Sequence, residues 1–155
     1  MTSLKRNKAR AERMIIPDAN LLIYAYDASA PLHTRARAWW EGILSGSEPV
    51  GIPWVVVLAF VRLMTHPSLS ENPMTVEQAK SAVMAWLDVE HVRLLATTPA
   101  TVKVFFAMVA QAGTGGNLCT DAMIAAVASE HGGCVYSNDV DFARFPNQAW
   151  RNPLA

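Results

Sequence analysis

MIIPDANLLIYAY, residues 14–26, is the stretch whose reading decides the fold. Ile15 and Ile16 lead through Pro17 to Asp18, and from Asn20 onward Leu21, Leu22, Ile23 and Tyr24 set off at helical spacing. The stretch predicts a short buried strand that ends at Asp18 and a helix that starts at once. In open α/β sheets functional groups collect at the carboxyl ends of the strands, which is where Asp18 falls. A simpler role is also open to it, that of a cap bonding the first free amides of the helix. The same arrangement recurs late in the chain.

Outward from this stretch, strands and helices alternate. Asp27 to Pro31 reads as a turn, and Leu32 to Leu44 as a helix with Ala36, Trp39, Trp40 and Ile43 on its apolar face. Val50 to Pro53 is a second strand, and Trp54 to Met64 a buried helix. Thr75 and Gln78 form a capping box that opens a helix to about Leu87. Val92 to Leu95 is a third strand, followed by a helix over Thr101 to Ala112. A glycine-rich loop, Gly113 to Gly116, leads to a helix of small residues capped by Thr120 or Asp121 and ended by Gly132-Gly133. Cys134 to Tyr136 is a fourth strand, then comes a short helical turn from Phe142 to Phe145, and Gln148 to Pro153 adds an edge strand. This order predicts a three-layer α/β/α domain around a parallel sheet of four to five strands.

Composition narrows the class. The chain has 155 residues, 52% hydrophobic and 17% charged, which suits one globular domain with a sizeable core. The longest apolar run, Trp54 to Val61, is too short to span a membrane, and the N-terminus lacks the apolar region of a secretory signal. Cys119 and Cys134 have no metal-like spacing and read as buried reduced thiols, which points to the cytoplasm. The net charge of zero hides an asymmetry. Five of the thirteen basic residues fall in residues 1–13, which read as a basic, disordered extension of a domain over residues 14–155. From Met14 onward eight Lys and Arg stand against twelve Asp and Glu, a balance of −4. An acidic body argues against general nucleic-acid binding without a metal or a basic partner surface.

Four acids fall at topologically related places. Asp18 follows the first strand, Asp139 and Asp141 follow the fourth, and Asp121 opens a helix. In a parallel sheet these ends share one edge, so three or four carboxylates converge in one cleft. Crowded carboxylates either take up protons or bind a cation, and hard oxygen ligands suit Mg²⁺ or Mn²⁺. Such a centre can activate water and stabilise a phosphodiester transition state. Taken singly, each acid has a plainer role as a cap or turn former.

With these residues in place, the chain resembles the PIN-domain ribonucleases, in particular the toxins of bacterial VapBC toxin–antitoxin pairs. The matching stretches are IIPDANLLIYAYDASAPLH (15–33), VLAFVRLMTHP (57–67), GNLCTDAMIAAVASEHGG (116–133) and SNDVDFARFP (137–146). The resemblance implies a Mg²⁺- or Mn²⁺-dependent endoribonuclease toxin, neutralised by a small VapB-type antitoxin. It implies that Asp18 and Asp121 ligate the metal, that Asp139 completes the acidic site with Asp141 beside it, and that Ser137 or Asn138 helps hold it. One departure stands out: Ala59 occupies the place of the Glu that many members carry before the Arg, here Arg62. Asp141 or Asp27 is then the candidate to compensate, and a second metal is in question. Arg62 would contact a phosphate or pair with a site carboxylate, whereas His33 and His66 read as packing or surface residues. Trp39, Trp40, Trp54 and Trp86 read as core or subunit interface, and the apolar surface of the short helices suggests a homodimer.

Two other functions fit parts of the pattern. Loss of the Glu at position 59 would also suit a catalytically inactive PIN-fold module that binds RNA or antitoxin. A phosphotransfer domain also uses a strand-end Asp, but it pairs that residue with an acid two positions on or with a late Lys. Here position 20 is Asn, and no Lys follows Lys103.

Overall fold

The computed structural model describes residues 13–113 and 118–155. Residues 1–12 of the basic extension read at 1–13, and residues 114–116 of the glycine-rich loop read at Gly113 to Gly116, lie outside the described residues, as does residue 117.

Five parallel strands form one sheet in the order β3-β2-β1-β4-β5: β1 is Ile15–Pro17, β2 Val50–Pro53, β3 Val92–Leu95, β4 Cys134–Tyr136 and β5 Trp150–Arg151. Helices Ala19–Tyr26 (α1) and His33–Ser45 (α2) connect β1 to β2. Trp54–Thr65 (α3) and Val76–Leu87 (α4) connect β2 to β3, and Pro99–Ala112 (α5) and Leu118–Glu130 (α6) lead to β4. A 3₁₀ helix, Val140–Arg144, precedes β5. The result is the expected three-layer α/β/α arrangement.

Strand order turns at β1. The chain builds outward from β1 through β2 to β3, then returns to lay β4 on the other side of β1. The crevice between β1 and β4 is therefore the topological switch point, where open α/β sheets hold their ligands. Pro17 is in register with Tyr136, and the Asp18 N–H extends the ladder to the Tyr136 carbonyl at 2.8 Å. Asp18 and Ser137 thus stand level, about one strand spacing of 4.8 Å apart.

The turn into β4 explains how that strand reaches β1. Gly132 takes φ 59°, its N–H bonds the Ser129 carbonyl, and the Gly133 N–H bonds the Ala128 carbonyl at 2.8 Å. This is a Schellman ending, which needs a residue without a Cβ penalty at Gly132. At Gly133 a Cβ would stand 3.0 Å from the Met14 carbonyl, so only glycine lets the turn lie against β1.

Trp40, Trp86 and Phe60 are fully buried in the core, and the Trp86 indole N–H donates to the Tyr26 hydroxyl at 2.8 Å. Three expectations need correction. Trp54 is 51% exposed, which rules out the core half of its reading and leaves the subunit interface, because it is the first residue of α3 and precedes the inward positions Val56, Val57 and Phe60. Cys119 is exposed, on the first turn of α6, and only Cys134 is buried. α6 begins at Leu118, so neither Thr120 nor Asp121 is its cap; Asp121 lies inside the first turn.

Candidate metal centre

Asp18 caps α1 from the end of β1. Its Oδ1 accepts from the Ala19 N–H at 2.7 Å, and its Oδ2 accepts from the Ser137 hydroxyl at 2.6 Å. Ser137 is fully buried and also accepts, from the Asp139 N–H at 3.0 Å and from the Asn20 amide at 3.3 Å. One hydroxyl therefore ties the end of β1 to the loop after β4. Asp139 in turn caps the 3₁₀ helix, accepting from the Asp141 N–H at 2.9 Å. Asn138 faces the C-terminal segment, where its Oδ1 accepts from the Asn152 amide at 3.0 Å.

Asp121 arrives from α6, a helix buried on most sides because Ala122, Ala125, Ala126 and Ala128 allow close approach. Carboxylate oxygens of Asp121, Asp139 and Asp141 lie within 4.8 Å of one another. Asp121 is 6% exposed, and its Oδ2 is buried with no hydrogen-bond partner among the described residues. Burial first, then the charges of Asp18, Asp139 and Asp141, push the Asp121 carboxyl up to about 7. Burial also raises the Asp18 carboxyl above its ordinary value, with the Asp139 charge adding to it, against the lowering effect of the Ser137 and Ala19 hydrogen bonds.

The four predicted acids thus collect at one edge. Asp121, Asp139 and Asp141 form the tight group, and Asp18 adjoins it through Ser137 and its charge. The donor set fits a hard divalent cation: every candidate ligand is a carboxylate oxygen, and Asp121 Oδ2 has no other partner among the described residues. Uncompensated, such an atom costs stability. The single cation paired with the group among the described residues is Arg144, whose Nε is 3.8 Å from Asp141 on a half-exposed surface.

Other candidates fall elsewhere. Asp27 caps the far end of α1 and accepts from the Ser29 N–H and hydroxyl, so it is a turn former and does not replace an acid at Ala59. Arg62 is exposed and pairs with no carboxylate among the described residues. His33 bonds the Tyr24 carbonyl and His66 Nδ1 accepts from the Ser68 N–H, both structural roles. The residue not anticipated is Asn20. Its only sequence signal is its place two residues after Asp18, and its contact spans 117 positions.

The family profile described as PIN domain matches residues 15–148. Ribonuclease VapC37 of Mycobacterium tuberculosis is 39% identical over 142 residues, covering 92% of this chain and 99% of that protein. Ribonuclease VapC33 of the same species is 35% identical over 141 residues, covering 91% and 99%. Among solved structures, VapBC2 from Rickettsia felis, bound to a DNA fragment from their promoter, aligns with a TM-score of 0.63 at 20% identity, over 90% of this chain and 98% of that one.

Proposed function

This chain belongs to the PIN-domain family, and from that premise we propose that it is a divalent-cation-dependent endoribonuclease, the toxin of a toxin–antitoxin pair. The observation that carries the chemistry is the buried oxygen of Asp121, without a partner among the described residues, beside three further carboxylates at the switch point of the sheet. Asp121 and Asp139 would hold the cation, with Asp141 beside them. Asp18 would join as a fourth acid, since each of its oxygens keeps a lone pair beyond the hydrogen bond it accepts. Mg²⁺ or Mn²⁺ bound there supplies an acidified water and offsets the charge of a phosphodiester transition state.

The protein's own groups do the positioning. The Ser137 hydroxyl and the Ala19 N–H orient the Asp18 carboxylate, and the Asp141 N–H orients Asp139. Four acids without such a cation would repel the substrate's phosphates, so cleavage should depend on the metal. RNA is the substrate class that the ribonuclease relatives suggest. A VapB-type antitoxin and a second copy of the chain are the proposed partners, with the exposed apolar Trp54, Leu58 and Phe106 available to them. Action in the cytoplasm follows from this reading. Among the described residues no helix is long and apolar enough to cross a membrane.

The test is cleavage of a mixed structured RNA with Mg²⁺, Mn²⁺ or a chelator, beside Asp18→Asn and Asp121→Asn. Metal-dependent cutting lost in both variants is the expected result. Wild-type protein that binds metal yet cuts nothing would favour the inactive binding module and make Ala59 its explanation.

A further inference from the structure

Asn20 is the second residue of α1, and its side-chain amide lies beside the site without belonging to it. Among the described residues it makes one side-chain hydrogen bond, from its amide NH₂ to Ser137 Oγ at 3.3 Å, while its Oδ1 is buried with no partner. A half-satisfied amide is an expensive occupant for a place next to the core, where an apolar side chain would cost less. Its polarity therefore serves Ser137.

The hydrogen-bond count at Ser137 shows how. A serine hydroxyl has one proton to donate and two lone pairs to accept with. Both lone pairs are filled, by the Asn20 amide and the Asp139 N–H at 3.0 Å. The one proton is then directed to Asp18 Oδ2 at 2.6 Å. Without Asn20 the hydroxyl loses one of the two donors that seat it, and Ser137 can rotate about its Cα–Cβ bond and carry Oγ away from Asp18 Oδ2.

Building on the metal-dependent reading above, we infer that Asn20 is a positioning residue. Its amide locks the Ser137 hydroxyl rotor so that Asp18 is held in place to face the cation. Its donor end matters, and its oxygen does not. Groups that orient metal ligands in this way typically affect metal affinity by about 10–100-fold when removed.

The test is a double-mutant cycle read by Mn²⁺ titration calorimetry on the full chain, with thermal melts to confirm folding. Asn20→Ala should weaken Mn²⁺ binding by roughly tenfold or more. Asn20→Asp keeps the shape but loses the donor, and should weaken it as much. The Asn20→Ala/Ser137→Ala double variant should bind no more weakly than Ser137→Ala alone, since Asn20 acts through Ser137. Losses that add, or an Asn20→Asp variant that binds as tightly as wild type or tighter, would overturn the inference. Wild type that binds no Mn²⁺ would instead overturn the metal-dependent reading. Positioning would then be decided by a crystal structure of metal-free Asn20→Ala, where Ser137 Oγ is expected to leave Asp18 Oδ2. A hydroxyl still seated at bonding distance there would overturn it.

Discussion

Asp18 and Asp121 are both buried aspartates at one sheet edge, 8% and 6% exposed, yet their surroundings are opposite. Asp18 has a donor on each oxygen, from Ala19 and Ser137. Asp121 has an oxygen with no partner among the described residues and a carboxyl pushed up to about 7. The first is built into the scaffold, joining β1 to the loop after β4. The second is left unpaired beside three like charges. Burial alone therefore does not say how a carboxylate serves the edge: Asp18 is oriented by its donors, and Asp121 keeps an acceptor free of them among the described residues.

This contrast can be broken by mutation. Asp121→Asn should cut RNA cleavage by more than about a hundredfold, beyond what loss of an outer-shell contact costs. The same change should raise the melting temperature of metal-free protein, because it removes a desolvated charge repelled by its neighbours. A fall in melting temperature would show that Asp121 is also structural. Ser137→Ala acts on the opposite member. It leaves Asp18 Oδ2 buried without its donor and should cost about 1–3 kcal/mol in denaturant unfolding. Asp141 is half-exposed and paired with Arg144, so Asp141→Asn should weaken Mn²⁺ binding by about tenfold or less. Unchanged metal affinity and cleavage would end its candidacy as the substitute for the acid missing at position 59.

The pH response sharpens the same comparison. The folded Asp121 carboxyl sits at about 7 against an ordinary 3.8, so the folded state holds its proton more tightly than the unfolded chain. Its contribution to stability is complete below 3.8 and is lost as pH rises to about 7. Asp18, also raised, acts in the same direction. In chelator the melting temperature should fall across this window, and saturating Mn²⁺ should flatten the fall by binding the ionised form. Melts at several pH values with and without Mn²⁺ check this.

Much of this edge was legible in the sequence, because its landmarks are local. Pro17-Asp18 marks a strand end, Thr75 and Gln78 spell a capping box that forms as read, and Gly132-Gly133 stops α6. The four acids could be assigned to one edge because alternating strands and helices imply a parallel sheet. The bonding within that edge was not legible. Asp18 meets Ser137 across 119 positions and Asn20 meets it across 117, and no local pattern encodes such pairs. The small-residue helix misled for a related reason. From Asp121 to Ala128 α6 is buried almost throughout and shows no polar stripe, so Asp121 looked like a cap when it stands inside the first turn. Trp54 read as core or subunit interface because its neighbours are apolar, and its place before the turn of α3 that faces inward removes the core alternative.

The central claim is that Asp121 keeps its unpaired oxygen for a divalent cation. Calorimetric titration of Mn²⁺ into wild type and Asp121→Asn tests it most directly. Saturable binding by the wild type, lost or weakened more than about a hundredfold in the variant, is the predicted result. Equal affinity in the two proteins would contradict it and move the cation, and the chemistry with it, away from Asp121.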